Sequence, residues 1–203
     1  MPLRVSPKRI NRRLLPSMDK TPDGFPPAVV VATREDIRCA FDRLAGALQA
    51  VIDTDDCVLL GIMLGGMMPT ARLATLLHGD YALDYCQVSR YRGGERGGEL
   101  EWLQAPHVQV RGRTVLLVDD IFDQGITLDY VTRQCRELGA RNVISTVLVR
   151  KRHTRVRTDL RPDHVGLEVD DRYVFGCGMD YRHRWRHLPE IWALVGELAG
   201  EDS

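Results

Sequence analysis

One stretch constrains this 203-residue chain more than any other, because residues 115–127 read VLLVDDIFDQGIT. The apolar run Val115–Val118 predicts a strand buried on both faces, and it leads directly into Asp119 and Asp120. Burying carboxylates costs free energy unless they meet a partner, so these acids predict a ligand that carries hydroxyls. The turn Asp123–Thr127 then gathers backbone N–H groups at a helix N-terminus, which suits a phosphate. Together they favour a sugar-phosphate site, and an ordinary acidic strand-to-helix loop is the simpler alternative.

Strand-like and helix-like patterns alternate along the rest of the chain. This alternation predicts right-handed βαβ units and a mainly parallel twisted sheet flanked by helices, an α/β fold. The predicted strands are 58–63, 81–89, 115–118 and 143–149, with short pieces near Val165 and Val174. The predicted helices begin at a Thr33/Asp36 capping box, at Met67, at Thr127 (ending at Gly139) and near Pro189. Ligands bind beyond the carboxyl ends of such strands, here residues 64–68, 119–127 and 150 onward.

The pattern divides the chain into three segments that form one compact unit. Residues 1–27 are proline-rich without a sustained period and predict an irregular arm. Residues 28–170 predict the α/β core, and residues 171–203 predict a C-terminal hood segment with a terminal helix. Within the core, Tyr91–Gly98 (YRGGERGG) is rich in glycine and predicts a mobile loop.

Charge and cysteine content exclude several classes of protein. Basic and acidic residues balance at 28 each, so the global charge indicates no polyanionic partner. The five scattered cysteines include no Cys-x-x-Cys pair, which favours a reducing cytoplasm over a disulfide frame or a zinc knuckle. The longest apolar stretch, residues 57–68, is too short to span a bilayer. The basic run 150–161 is interpreted as a solvated loop, with an anion-binding edge or RNA contact as the alternative.

Two motifs resemble one known family. The stretch 115–127 resembles the phosphoribosyl pyrophosphate (PRPP) motif of type I phosphoribosyltransferases. Residues 171–188 (DRYVFGCGMDYRHRWRHL) independently resemble the C-terminal hood of the hypoxanthine-guanine branch, and the resemblance covers roughly residues 57–190. It implies the type I phosphoribosyltransferase fold with a small hood subdomain. It also implies purine salvage from hypoxanthine or guanine plus PRPP to IMP or GMP plus pyrophosphate, with Mg²⁺ as cofactor and a homodimer or homotetramer as the assembly.

The resemblance implies a role for each matching residue. Asp123 would be the general base that accepts a purine ring proton. Ribose and the 5-phosphate would be held by Asp119, Asp120, Asp123, Gln124, Gly125, Ile126 and Thr127. Pyrophosphate would contact Leu64, Gly65 and Arg186; the base would contact Lys151, Tyr173 and Val174. Asp119, Asp120 and Asp180 would hold Mg²⁺, and Arg90 and Tyr91 would belong to a closing loop.

Three residues depart from the family pattern, and several alternatives stay open. Gln124 replaces a threonine, Leu64 replaces a lysine, and Arg90 replaces a serine. The register of Lys151 is open by one position, because Arg150 and Arg152 flank it. A xanthine-preferring or pyrimidine-preferring transferase is one alternative, and a PRPP-sensing regulator that binds RNA or DNA through residues 150–161 is another. Asp123 and Tyr91 favour an enzyme, since a sensor needs neither a general base nor a closing loop.

Overall fold

The computed structural model describes residues 24–90 and 100–198. Most of the predicted N-terminal arm and the predicted mobile loop, including Tyr91, lie outside these described residues. Twelve elements follow in chain order: β1 Ala28–Ala32, α1 Arg34–Ile52, β2 Cys57–Met63, α2 Met67–Ala74, β3 Tyr81–Arg90, β4 Leu100–Gln104, β5 Thr114–Phe122, α3 Ile126–Glu137, β6 Asn142–Arg152, β7 His164–Asp170, β8 Arg172–Phe175 and β9 Ile191–Leu198.

A six-stranded sheet forms the centre of the molecule, in the order β4-β3-β2-β5-β6-β7. Four of its five strand pairings are parallel, and the edge strand β4 pairs antiparallel with β3. Residues of β5 alternate between the two sides: Leu116 and Val118 join one apolar cluster, and Val115 and Leu117 join the other. Helices α1 and α2 contribute to the first cluster and α3 to the second, so the predicted α/β fold is confirmed.

Helix α1 begins as its sequence predicts. The Thr33 side chain accepts a hydrogen bond from the Asp36 N–H, and the Asp36 carboxylate accepts one from the Thr33 N–H, which completes the capping box. Ile37, Phe41 and Leu44 are buried on one face, and the helix packs against β7. Within the described parts of the chain, no helix is long and apolar enough to cross a membrane.

A second, three-stranded sheet has the order β1-β9-β8, and its residues Val174 and Ile191 join the first apolar cluster of the core. The predicted terminal helix near Pro189 is wrong, because Ile191–Leu198 is a strand paired antiparallel with β1 and β8. Its first four residues are buried in a row, a pattern that an apolar strand between two neighbours produces. Strand β1, at the start of the predicted core segment, therefore belongs to this small sheet, which we call the hood sheet.

Candidate active site

Three loops and the hood meet at the carboxyl edge of the large sheet. Strand β2 ends at the turn that contains Gly65, and β5 ends beside Asp123. A Cβ atom on Gly65 would overlap the Asp120 carboxylate, and one on Gly178 would overlap the Gly65 carbonyl. The hood segment around Gly178, the turn at Gly65 and the Asp120 side chain are therefore in direct contact. This close approach explains why glycine occupies both turns.

Asp119 and Asp120 lie inside the last part of β5 and are almost fully buried, at 8% and 7% exposed. The Asp120 N–H donates to Asp119 Oδ1 at 3.0 Å. Burial raises the pKa of Asp120 to about 6, although the Asp119 hydrogen bond and the positive charge of Arg186 act in the opposite direction. Burial and the negative charge of Asp120 likewise raise the pKa of Asp119. A ligand that supplies hydroxyl donors or a cation would stabilise the ionised form of these two carboxyls.

The donor set fits a magnesium ion that is shared with a substrate. Mg²⁺ is usually held by one or two carboxylates together with water and substrate phosphates, and a buried acid pair supplies such oxygens. Among residues 24–90 and 100–198, no group of three or more His, Cys, Asp or Glu is arranged to hold a metal by itself. The two buried carboxylates therefore suit an ion that arrives with a polyphosphate ligand.

The hood brings Asp180 and Arg186 together. Arg186 Nη2 lies 2.5 Å from Asp180 Oδ1, and Arg186 Nη1 donates to the Gly178 carbonyl at 2.6 Å. The second Asp180 oxygen accepts the His183 N–H at 2.8 Å. Both oxygens of Asp180 thus have one protein partner each, and each keeps a second lone pair with which it can accept from a further donor.

Tyr173 and Val174 lie on strand β8 of the hood sheet. The Tyr173 hydroxyl donates to the Asp180 carbonyl at 3.0 Å, and its ring meets Tyr181 edge-to-face at 5.8 Å between centroids. Val174 is buried, at 6% exposed. The predicted base-binding residues are therefore neighbours on β8, and the Tyr173 hydroxyl links this strand to the backbone of Asp180.

Asp123 follows β5 and accepts from two basic side chains. Lys151 Nζ lies 2.8 Å from Asp123 Oδ2, and His153 Nε2 lies 2.6 Å from Oδ1. Partial burial alone would raise the pKa of Asp123, but the hydrogen bonds of Lys151 and His153 and the positive charge of Lys151 hold that pKa below its ordinary value. Asp123 is therefore ionised near neutral pH and oriented by both partners.

The structure also resolves which basic residue of β6 faces this site. Arg150 pairs with Glu168, its partner in the parallel register with β7, whereas the Lys151 side chain is 8% exposed and reaches Asp123. His153 was missed in the sequence. The signal that could have found it is its position two residues after Lys151, immediately past the end of β6 at Arg152.

The loop before α3 has the shape that its sequence predicts. Gly125 is the N-cap residue of α3 with φ of 82°, and a Cβ there would come within 2.7 Å of the Phe122 ring. The Gln124 carbonyl accepts the Arg157 N–H at 2.9 Å. The positive φ and the crowding both require glycine at this position. Helix α3 begins at the next residue, so the backbone N–H groups of Ile126 and Thr127 belong to the helix N-terminus.

The remaining predicted residues lie at the rim of the site. Leu64 follows a cis peptide bond from Met63 and is exposed at 51%. Arg90 is the last residue of β3, so its backbone lies at the same carboxyl edge. Leu64 therefore offers an exposed apolar side chain at the position where the family pattern has a lysine.

The basic run 150–161 is largely neutralised by acids of the neighbouring strand. Besides the Arg150–Glu168 pair, Arg152 Nη2 lies 2.5 Å from Asp170 Oδ1. Arg155 Nη2 lies 2.5 Å from Asp171 Oδ1, immediately after β7. Three of the basic side chains thus form an ion-pair ladder, which favours the interpretation as a solvated edge over a nucleic-acid contact.

Comparisons with known proteins point to one family. Residues 34–182 match the family model described as a phosphoribosyl transferase domain. The chain is 30% identical over 172 residues to the hypoxanthine-guanine phosphoribosyltransferase of Staphylococcus aureus (strain Mu50), covering 83% of this chain and 94% of that relative. The enzyme of the same name from Bacillus subtilis (strain 168) is 30% identical over 166 residues, covering 81% and 92%. A crystal structure of a Staphylococcus aureus hypoxanthine phosphoribosyltransferase superposes with a TM-score of 0.76 at 28% identity, covering 82% and 90%.

Proposed function

The chain belongs to the phosphoribosyltransferase family, and from that premise we propose that it converts hypoxanthine or guanine plus PRPP to IMP or GMP plus pyrophosphate. One observation carries the choice of base: Lys151 Nζ and Asp123 Oδ2 lie 2.8 Å apart beside the buried acid pair. An ammonium donates to a 6-oxo oxygen, and a carboxylate accepts from a ring N–H. The two groups together match one edge of a 6-oxopurine.

The chemical step proposed is displacement of pyrophosphate by a purine nitrogen. Asp123 would accept the ring proton as the nitrogen attacks C1 of the ribose, and Lys151 would orient the base through its 6-oxo oxygen. Tyr173 would stack on the purine and the Val174 carbonyl would accept from its edge. The short distance between the proton acceptor and the orienting cation supports this assignment.

The remaining site residues are proposed to hold PRPP. Asp119 and Asp120 would accept from the ribose hydroxyls, and the amides of residues 124–127 would bind the 5-phosphate. Gly65, with its neighbour Leu64, and Arg186 would contact pyrophosphate. Mg²⁺, held with Asp119, Asp120 and water-mediated Asp180, would act as a Lewis acid that spreads the charge of the departing pyrophosphate.

A closing loop would complete the site. The segment that begins at Arg90 and Tyr91 is proposed to cover the reacting atoms and exclude water. Arg90 would also supply positive charge near pyrophosphate, where Leu64 cannot. The position of Arg90 at the carboxyl edge, as the last residue of β3, supports this role.

A panel of bases tests the proposal. The protein is incubated with PRPP, Mg²⁺ and hypoxanthine, guanine, xanthine or adenine, and the nucleotide formed is measured by chromatography. We expect turnover of hypoxanthine and guanine but not adenine, because the 6-amino group would oppose the Lys151 ammonium. Such a mismatch between buried polar groups can cost about 10⁴–10⁵ in discrimination. Adenine turnover comparable to that of hypoxanthine would refute the proposal, and preferential use of xanthine would replace it with the xanthine-preferring alternative.

The cellular setting is proposed on separate observations. All five cysteines are free thiols, which supports a reducing compartment, the cytoplasm. Large apolar side chains are exposed on β3 and β4, at Leu83, Tyr85 and Leu103, and subunit interfaces bury groups of this kind. They support a homodimer or homotetramer, which light scattering tests directly. The paired arginines of residues 150–155 do not support nucleic acid as a partner.

A further inference from the structure

His153 lies just beyond β6 and is nearly inaccessible, with its side chain 4% exposed. Each ring nitrogen has a defined partner. Nε2 lies 2.6 Å from Asp123 Oδ1, and Nδ1 lies 3.0 Å from the backbone nitrogen of Arg155. The ring therefore joins the Asp123 carboxylate to the backbone of the loop that follows β6.

These two contacts define the tautomer of the imidazole. A backbone N–H can only donate, so the Arg155 N–H requires an unprotonated Nδ1. In the neutral ring the proton then resides on Nε2, from which it is donated to Asp123 Oδ1. A proton on Nδ1 would abolish the Arg155 contact. The geometry thus favours neutral, Nε2-protonated His153 as the partner of an ionised Asp123.

The two oxygens of Asp123 consequently have different partners. Oδ1 accepts from a ring that is held on both sides, whereas Oδ2 accepts from Lys151, a flexible ammonium with three donors. Lys151 can turn toward an arriving base while His153 keeps its place. Arg155 Nη2 lies 4.0 Å from Oδ1 and is itself paired with Asp171, so it adds charge but does not compete for Oδ2.

We propose that His153 is a positioning residue for the proton acceptor: it holds Oδ1 of Asp123 so that Oδ2 faces the purine ring N–H. This inference rests on the proposed function, in which Asp123 is the general base. Asp123 is the proton acceptor throughout, and His153 donates one hydrogen bond without exchanging a proton with the substrate. The groups facing the Asp123 carboxylate are the charged side chains of Lys151 and Arg155 and the titratable ring of His153.

Kinetics of two substitutions test the positioning role. His153→Ala should lower kcat by about 10- to 100-fold, part of the 10²–10⁴ that a positioned base contributes, with little change in KM for PRPP. It should also move the acidic limb of the pH profile of kcat/KM for hypoxanthine to higher pH. The reason is that the lost donor no longer lowers the pKa of Asp123. His153→Gln, which keeps an N–H donor of similar reach, should restore much of kcat and return the limb toward the wild-type position.

The neighbouring Thr154→Ala is the matched control, since Thr154 is exposed in the same loop and should leave kcat and the pH profile unchanged. A His153→Ala protein with wild-type kcat and an unmoved acidic limb overturns the proposal. So does a loss of activity that glutamine fails to recover, if circular dichroism shows both variants folded. An inactive wild-type protein refutes the proposed function instead, which separates the two failures.

Nitrogen NMR provides a readout that does not depend on activity. In ¹⁵N-labelled protein at pH 7.5, the His153 ring, assigned by its absence in His153→Gln, should show a protonated Nε2 and an unprotonated Nδ1. A ring protonated on Nδ1 alone, or one exchanging freely between tautomers, overturns the proposal whatever the enzyme turns over.

Discussion

Replacing Asp120 with asparagine should make the substrate-free protein more stable at neutral pH while abolishing tight PRPP binding. Burial raises the pKa of Asp120 to about 6, against an ordinary value of 3.8. The folded protein therefore binds this proton more tightly than the unfolded chain does. Since the unfolded chain ionises the carboxyl more readily, folding is penalised as pH rises through the window from 3.8 to about 6.

The size of the penalty follows from that shift. About two pKa units at about 1.4 kcal/mol each correspond to about 3 kcal/mol above pH 7, and about 1 kcal/mol remains at pH 4.5. The gain in free energy of unfolding from Asp120→Asn is at most this large, because Asp119 and Asp120 are adjacent and the buried negative charge is shared between the two carboxyls. For a domain of this size, 1 kcal/mol corresponds to roughly 2–4 °C in Tm, so Asp120→Asn should melt up to roughly 6–12 °C higher at pH 7.5.

Thermal unfolding followed by circular dichroism, with EDTA present, measures this effect. The Tm difference between Asp120→Asn and wild type should be large at pH 7.5 and should shrink at pH 4.5. The exposed Asp80→Asn is the control and should show no such pH-dependent gain. Adding Mg²⁺ and PRPP should then raise the Tm of the wild type but not of the variant. A variant that melts at or below the wild-type temperature at pH 7.5, or a gain equal at both pH values, would refute the reasoning.

Three further substitutions separate binding, chemistry and packing. Gly65→Ala should weaken PRPP binding by about 10- to 100-fold in calorimetry, the equivalent of the 1–3 kcal/mol that overpacking costs, because its Cβ overlaps the Asp120 carboxylate; unchanged affinity would contradict this. Asp123→Asn should lower kcat by about 10²–10⁴ and keep PRPP affinity, and calorimetry that shows lost affinity with intact chemistry would reverse the assigned role. Phe175→Ala should cost about 3–5 kcal/mol in urea unfolding, since the ring is fully buried in the hood, and a loss under 1 kcal/mol would contradict the packing.

The sequence predicted those structural features that depend only on residues close to one another in the chain. In residues 115–127 an apolar strand, a glycine and a helix follow one another, and each is encoded by neighbouring residues. Gly125 is needed for its positive φ, which the glycine itself indicates. The capping box at Thr33 and Asp36 is equally local, and it formed as predicted. For such features the backbone geometry and its residues are adjacent in sequence.

Features that depend on distant partners could not be predicted in this way. Arg150 and Lys151 are both basic, and only the register with Glu168 on β7 decides which of them faces Asp123. The strand at Ile191 exists because β1, from the opposite end of the described chain, pairs with it. An apolar run of that length suits a helix or a strand, so its periodicity cannot decide.

The segment after β6 connects the two halves of the site. Its His153 ring contacts the Asp123 carboxylate, and four residues later the Arg157 N–H donates to the Gln124 carbonyl at 2.9 Å. The first contact is to a side chain and the second is to the backbone of the proposed phosphate loop. A substitution of the His153 ring therefore removes the contact with Asp123, the proposed proton acceptor, and leaves the Arg157–Gln124 hydrogen bond in place. Because separate contacts from one loop reach the proposed proton acceptor and the proposed phosphate loop, we expect substitutions at His153 to change kcat while leaving PRPP affinity nearly unchanged.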